Sequence, residues 1–167
     1  MKKTLALGSF ALLLVAGSTI RGQHSADNTA ASDHAIVRPE AIKWGPPPPG
    51  LPAGATVGVL SGDPGTPGSQ FVLRAKMPDG YKVPPHWHSI DENLTILQGT
   101  LLAGHGDKLD PAAAEPLGPG SFVHMPKGMH HFVIAKGETI IQVHGVGPFD
   151  ITYINPSDDP RKKDLNK

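Results

Sequence analysis

The chain has 167 residues, with 15 Lys and Arg against 15 Asp and Glu, so its formal net charge is zero when histidine is neutral. It contains no Cys, which excludes disulfide frameworks, thiolate metal sites, cysteine nucleophiles and lipid attachment at a lipobox cysteine. The length suits one domain able to bury a core, and 20 Gly with 18 Pro favour many short strands and turns over helices.

The amino end runs Met1-Lys2-Lys3, then an apolar block over residues 5–15, then Ala16, Gly17 and Ser18. A basic start, a short apolar stretch and a small-residue exit predict a secretory signal peptide over residues 1–22, cleaved after Gly17, Ser18 or Gly22. The stretch is too short for a permanent membrane anchor, so the expected location is periplasmic or secreted, with no membrane contact after cleavage. The mature chain would carry 12 basic residues (15 less Lys2, Lys3 and Arg21) against 15 acidic ones. With no basic stripe, nucleic acid is not an expected partner. The one basic run, Arg161-Lys162-Lys163, lies in a polar terminus and reads as solvated.

Residues 23–35 lack an apolar period and read as a flexible linker, with His24 and His34 solvated. A barrel domain is expected over residues 36–155. Residues 36–44 could supply a first strand, broken by the proline run from Pro46 to Pro49. Residues 55–61 and 70–77 read as strands around a turn at Gly62-Asp63-Pro64-Gly65. In the second of them Phe71, Leu73 and Ala75 alternate with Val72, Arg74 and Lys76, as a strand buried on one face requires. Further strands are expected at 93–97, 100–104, 121–125, 131–135, 139–144 and 151–154, with one helical turn or a loop at 108–114. Residues 156–167 read as a loosely ordered polar tail. No long helix competes, so the fold class is all-β, a sandwich or barrel.

The densest chemistry lies between Gly80 and Gly99. Alternate side chains on a strand share a face, so His86 and His88 can present imidazoles to one point. Glu92, past a short turn, can return a carboxylate oxygen to it, and this donor set suits iron, manganese and related divalent ions. Given the chain's composition, the five fixed positions of Gly-x5-His-x-His-x3-Glu-x6-Gly would arise by chance with a probability of about 10⁻⁴ over the whole chain.

That spacing resembles the first motif of the cupin superfamily in every defining position, and Gly120-x5-Pro126-x-Gly128-x2-His131 resembles the second, twenty residues after Gly99. The family often places Asn four residues beyond the last His, where this chain has Ala135. The resemblance narrows the fold to a double-stranded β-helix, or jelly roll. It implies one divalent transition metal (Fe, Mn, Ni, Cu or Zn) held by His86, His88, Glu92 and His131, and a possible homodimer.

An ion with those four ligands keeps about two positions for water, substrate or dioxygen. Glu92 is the candidate proton acceptor, and His124 and His144 are candidate catalytic partners that could orient a ligand or shuttle a proton. Gln142 shares parity with His144, His130 is expected to point outward, and Tyr81 and Tyr153 are possible phenol donors at the rim. No serine-hydrolase arrangement or phosphate loop is present. The cupin resemblance implies, as the expected function, metal-dependent dioxygenase-type chemistry on a small molecule. A non-redox lyase or isomerase at the same ion, or a non-catalytic binding or sensor module, are the alternatives.

Overall fold

The computed structural model describes residues 34–163. The expected signal peptide and almost all of the expected linker lie outside these residues.

Eight strands form an antiparallel jelly-roll barrel: β1 (Thr56–Ser61), β2 (Gln70–Met77), β3 (Lys82–Trp87), β4 (Glu92–His105), β5 (Glu115–Leu117), β6 (Phe122–Met125), β7 (His131–Val146) and β8 (Thr152–Tyr153). The path β1-β2-β7-β3-β8 is extended by β4, which pairs with β5, β6 and β7. On β2 the alternation foreseen from the sequence holds. Phe71, Leu73, Ala75 and Met77 are buried while the residues between them are partly exposed. Leu94 and Ile96 likewise join the core with the parity of Glu92.

β4 and β7 are each one strand where the sequence suggested two. Gly99 and Gly137, which read as breaks, sit inside the paired ribbon with φ of 74° and 73° and bend it without ending it. Only glycine adopts this left-handed conformation at little cost. The register runs from Gln98 opposite Ile140 to Thr100 opposite Lys136, and buried Thr139 closes the bend by donating from its hydroxyl to the Thr100 carbonyl at 3.1 Å. The bend sends the first half of β7 to β3 and the second half to β2. One strand thereby ties both ends of the barrel together.

Residues 36–44 form no strand. Pro39 fixes φ and lacks a donor, and Pro39–Ala41 is a 3-10 turn, with an isolated bridge between Gly45 and Val57 following. Pro111–Ala113 is a second such turn, capped by the Asp110 side chain at 3.0 Å from the Ala112 amide. The segment from Asn155, expected as a loose tail, is ordered as far as Lys163. Pro156–Asp158 and Pro160–Lys163 are helical turns, and Arg161 pairs with Asp159 at 2.7 Å and donates to the Ile151 carbonyl at 3.0 Å.

The two bend glycines are not equivalent. A methyl group at position 137 would meet open space, whereas at 99 it would collide with the Glu138 carbonyl and with Thr139. Gly137→Ala should therefore cost only the left-handed strain, about 1–2 kcal/mol, and Gly99→Ala measurably more, about 3 kcal/mol or above. Equilibrium urea unfolding of the two variants measures the difference. Equal costs would contradict this packing.

Candidate metal centre

The site is assembled from strand register. His86 on β3 lies opposite His131 on β7 and opposite Tyr153 on β8. Residues facing each other across adjacent strands share a face, so the three rings form one inward row. The His86 and His131 rings are 4.2 Å apart, and Tyr153 lies 6.0 Å from His86. His88, just past the end of β3, keeps the parity of His86, and its ring is 5.0 Å from His86 and 5.2 Å from His131. Glu92 opens β4 and completes the cluster, with Oε2 3.3 Å from His88 Nε2 and 3.4 Å from His131 Nε2. All four side chains are buried.

Each imidazole is oriented through its other nitrogen. Nδ1 of His86 faces the Pro84 carbonyl at 2.7 Å, Nδ1 of His131 faces the Met129 carbonyl at 2.9 Å, and Nδ1 of His88 faces the Asp150 carbonyl. A backbone acceptor at Nδ1 fixes that nitrogen as N–H and leaves Nε2 with its lone pair inward. The ligand atoms of the three histidines lie within 4.8 Å of one another. Buried His88 Nε2 makes no hydrogen bond of good geometry, although Glu92 Oε2 lies 3.3 Å away.

This arrangement fits a metal ion. Donors about 2.1 Å from an ion and at right angles stand about 3 Å apart, close to the separations of Glu92 from His88 and His131. A buried ring nitrogen without a partner is costly unless something outside the protein binds it. The electrostatics agree. Burial, together with its neighbours His131 and His88, pushes the His86 imidazole down to about 3, so it is neutral and free to ligate. Burial alone would raise the Glu92 carboxyl, but the imidazoles of His131 and His88 overcome it and hold it well below the usual carboxylate range. Burial opposes charge on His88 as well, yet the Glu92 carboxylate outweighs it and raises that imidazole.

The cluster forms the floor of a cavity of about 660 Å³. Residues that sequence reasoning did not single out set its geometry. Phe149 stacks on His88 with ring centroids 4.7 Å apart. The Asp150 carboxylate accepts the Ser89 amide at 2.8 Å, while its carbonyl meets His88, so one residue fixes both sides of that ligand. These residues come from a loop some sixty positions downstream, and no spacing rule reaches that far.

His124 and His144 are not part of the centre. His144 alternates with buried Ile141 and Val143, which puts it on the outer face, and exposed His124 hydrogen-bonds Asn93 Oδ1 at 3.0 Å there. Neither lines the cavity. Gln142 also faces outward, bonded to Arg74 at 3.1 Å. His130 points outward as expected and pairs with Asp107 at 2.6 Å. Tyr81 and Tyr153 are buried, and their hydroxyls donate to the carbonyls of Pro52 at 2.6 Å and Gly50 at 2.8 Å. Both phenols thus fasten the proline-rich strap over the cavity. Burial pushes Tyr81 up to about 12 and raises Tyr153 also.

A family model described as "Domain of unknown function (DUF4437)" matches residues 36–163. No curated protein matches the chain. Among solved structures, the chain is similar to the polyketide cyclase RemF from Streptomyces resistomycificus, with a TM-score of 0.62 and 19% identity, covering 79% of this chain and 93% of that one. An acetylacetone dioxygenase from Acinetobacter johnsonii is similar at a TM-score of 0.58 and 14% identity, covering 77% and 82%. KdgF from Halomonas sp. is similar at 0.52 and 15%, covering 68% and 94%. These likenesses establish the cupin barrel.

Two outcomes follow from the geometry. Asp150→Ala keeps the backbone carbonyl that meets His88 but removes the carboxylate that anchors the adjoining Ser89 amide, so it should weaken metal affinity up to about tenfold, while Asp107→Ala at the surface should leave it unchanged. A competition titration against a chromogenic chelator reads both, and equal affinities would contradict the role of Asp150. In the same assay, an ion must displace the proton from the raised His88 imidazole. Affinity should fall as the pH is lowered through the range in which His88 takes up a proton, by up to about tenfold per pH unit, and level off above it, with His86 silent between pH 5 and 8. A pH-independent affinity would contradict the pairing of His88 with Glu92.

Proposed function

The chain belongs to the DUF4437 family and folds as a cupin, and on that footing we propose that it is an exported enzyme. In this reading it holds one divalent transition metal through His86, His88, Glu92 and His131 and carries out dioxygenase-type oxidation of a small molecule. The observation that carries this is the convergence of three histidine ring nitrogens, with the Glu92 carboxylate close to two of them, in the lining of a cavity large enough for a small organic ligand. The basic and apolar leader supports export.

When bound, iron, manganese, nickel, copper or zinc would supply Lewis acidity at that point, and the redox-active members would allow dioxygen to be used. The chain's own residues position and insulate. His86, His88 and His131 are held by their Nδ1 contacts, so the rings need no reorientation to face one point. Glu92 contributes negative charge. The imidazoles of His131 and His88 hold its carboxyl in the anionic form, the form in which it would serve as a ligand.

Apart from Glu92, the lining offers few groups to take a proton from substrate, which supports oxidation over a non-redox lyase or isomerase. Among the described residues lining the cavity, Asp150 is the only other carboxylate, and it is exposed and bonded to the Ser89 amide. The two phenols are spent on carbonyls, and the two outer histidines do not reach inside. The resemblance in fold to an acetylacetone dioxygenase agrees with an oxidative reading.

Metal-free protein reconstituted separately with each of the five ions and offered acetylacetone in an oxygen electrode tests the proposal. Dioxygen uptake with a redox-active ion, absent with zinc and reduced about a hundredfold or more in His131→Ala, is the expected result. Substrate turnover by the zinc form without dioxygen uptake would overturn the oxidative assignment in favour of the non-redox one.

A further inference from the structure

The walls of the cavity specify the kind of molecule it takes. Above the ligand cluster they are built from Val57, Leu73, Val83, Leu94, Val133 and Ile141, with Met77 and Phe149 closing the sides. The strap contributes Pro46, Pro48 and Pro49, residues that have no backbone N–H to donate. Tyr81 is the one phenol in the lining, and its hydroxyl is committed to Pro52. Asp150 and Arg161 are the remaining charged residues, and both are exposed. Arg161 is bonded to Asp159 and to the Ile151 carbonyl, and Asp150 to the Ser89 amide.

Between the ligand cluster and these exposed residues, the wall therefore has no free side-chain donor or acceptor. A hydroxyl buried there would lose water and gain no partner, whereas an apolar surface would lose only water. We propose that the ligand is amphipathic in a defined sense. One end carries a compact oxygen-bearing head that reaches His86, His88, Glu92 and His131, and the rest is an aliphatic or aromatic body lying under the proline strap. Polyhydroxylated molecules such as sugars are rejected by the same wall. The head's role rests on the metal site proposed above, and the body's role does not.

A series with one chelating head separates the two. Acetohydroxamic, 2-naphthohydroxamic and gluconohydroxamic acids share the hydroxamate and differ only in the body. Each is titrated calorimetrically into zinc-loaded and metal-free protein. In the zinc form the naphthyl compound should bind at least about tenfold tighter than acetohydroxamic acid, and the gluconyl compound no tighter than it. The naphthyl preference over gluconyl should persist without metal. Val57→Asn, on the partly exposed edge strand β1, should reduce the naphthyl advantage about threefold or more, with an unchanged thermal midpoint showing that the barrel is intact.

Acetohydroxamic acid binding equally to both forms would defeat the metal site, and the naphthyl-to-gluconyl ratio would still decide the body. A ratio near one or inverted in the zinc form, or no binding of the naphthyl compound to either form, would overturn the apolar-body proposal.

Discussion

Three imidazoles and a carboxylate crowd together at the bottom of an apolar cavity, and the geometry of much of the barrel serves that crowding. Left to itself the cluster is costly: burial penalises charge on both His88 and Glu92, and their 3.3 Å contact lacks the geometry of a hydrogen bond at His88 Nε2. Such a cost persists only where the surrounding structure over-determines it. Here the determinants are identifiable. Cross-strand register sets His86 beside His131, the parity of β3 carries His88 to the same point, and the turn before β4 returns Glu92. Three backbone carbonyls then fix the rings.

A second layer of constraint holds the cavity open above the cluster. The strap of prolines lines the cavity as a stiff segment, anchored beside it by Tyr81 and Tyr153 through their hydroxyls to the Pro52 and Gly50 carbonyls. Tyr153 also faces His86 across the register, so the same side chain neighbours the histidine cluster and fastens the strap. Arg161, in a segment that composition alone marks as solvated, holds the Ile151 carbonyl beside that strap. Ligand geometry and cavity wall are mechanically continuous through these few residues.

What could be read from the amino acids follows from how local the physics is. The clustering of His86 and His88 was legible because alternate residues on a strand share a face, and β2 was legible because one-sided burial imposes alternation. The bends at Gly99 and Gly137 were misread as strand ends, since a glycine in a strand marks a break and a bend alike until its partner strand is known. His144 could have been assigned outward from its own neighbours, because Ile141 and Val143 are the apolar parity of that strand. For His124 no such signal exists, as Phe122 and Val123 make both parities apolar. The contributions of Phe149, Asp150 and Arg161 depend on loops that meet the site only in three dimensions.

The account stands or falls on the ion itself. Elemental analysis of the mature protein from its own cell compartment, beside a His86→Ala, His88→Ala double variant, tests it most directly. Close to one equivalent of iron, manganese, nickel, copper or zinc in the protein and none in the variant is the predicted result. No metal in either, with both proteins folded, would contradict it and leave the barrel as a metal-free binding module.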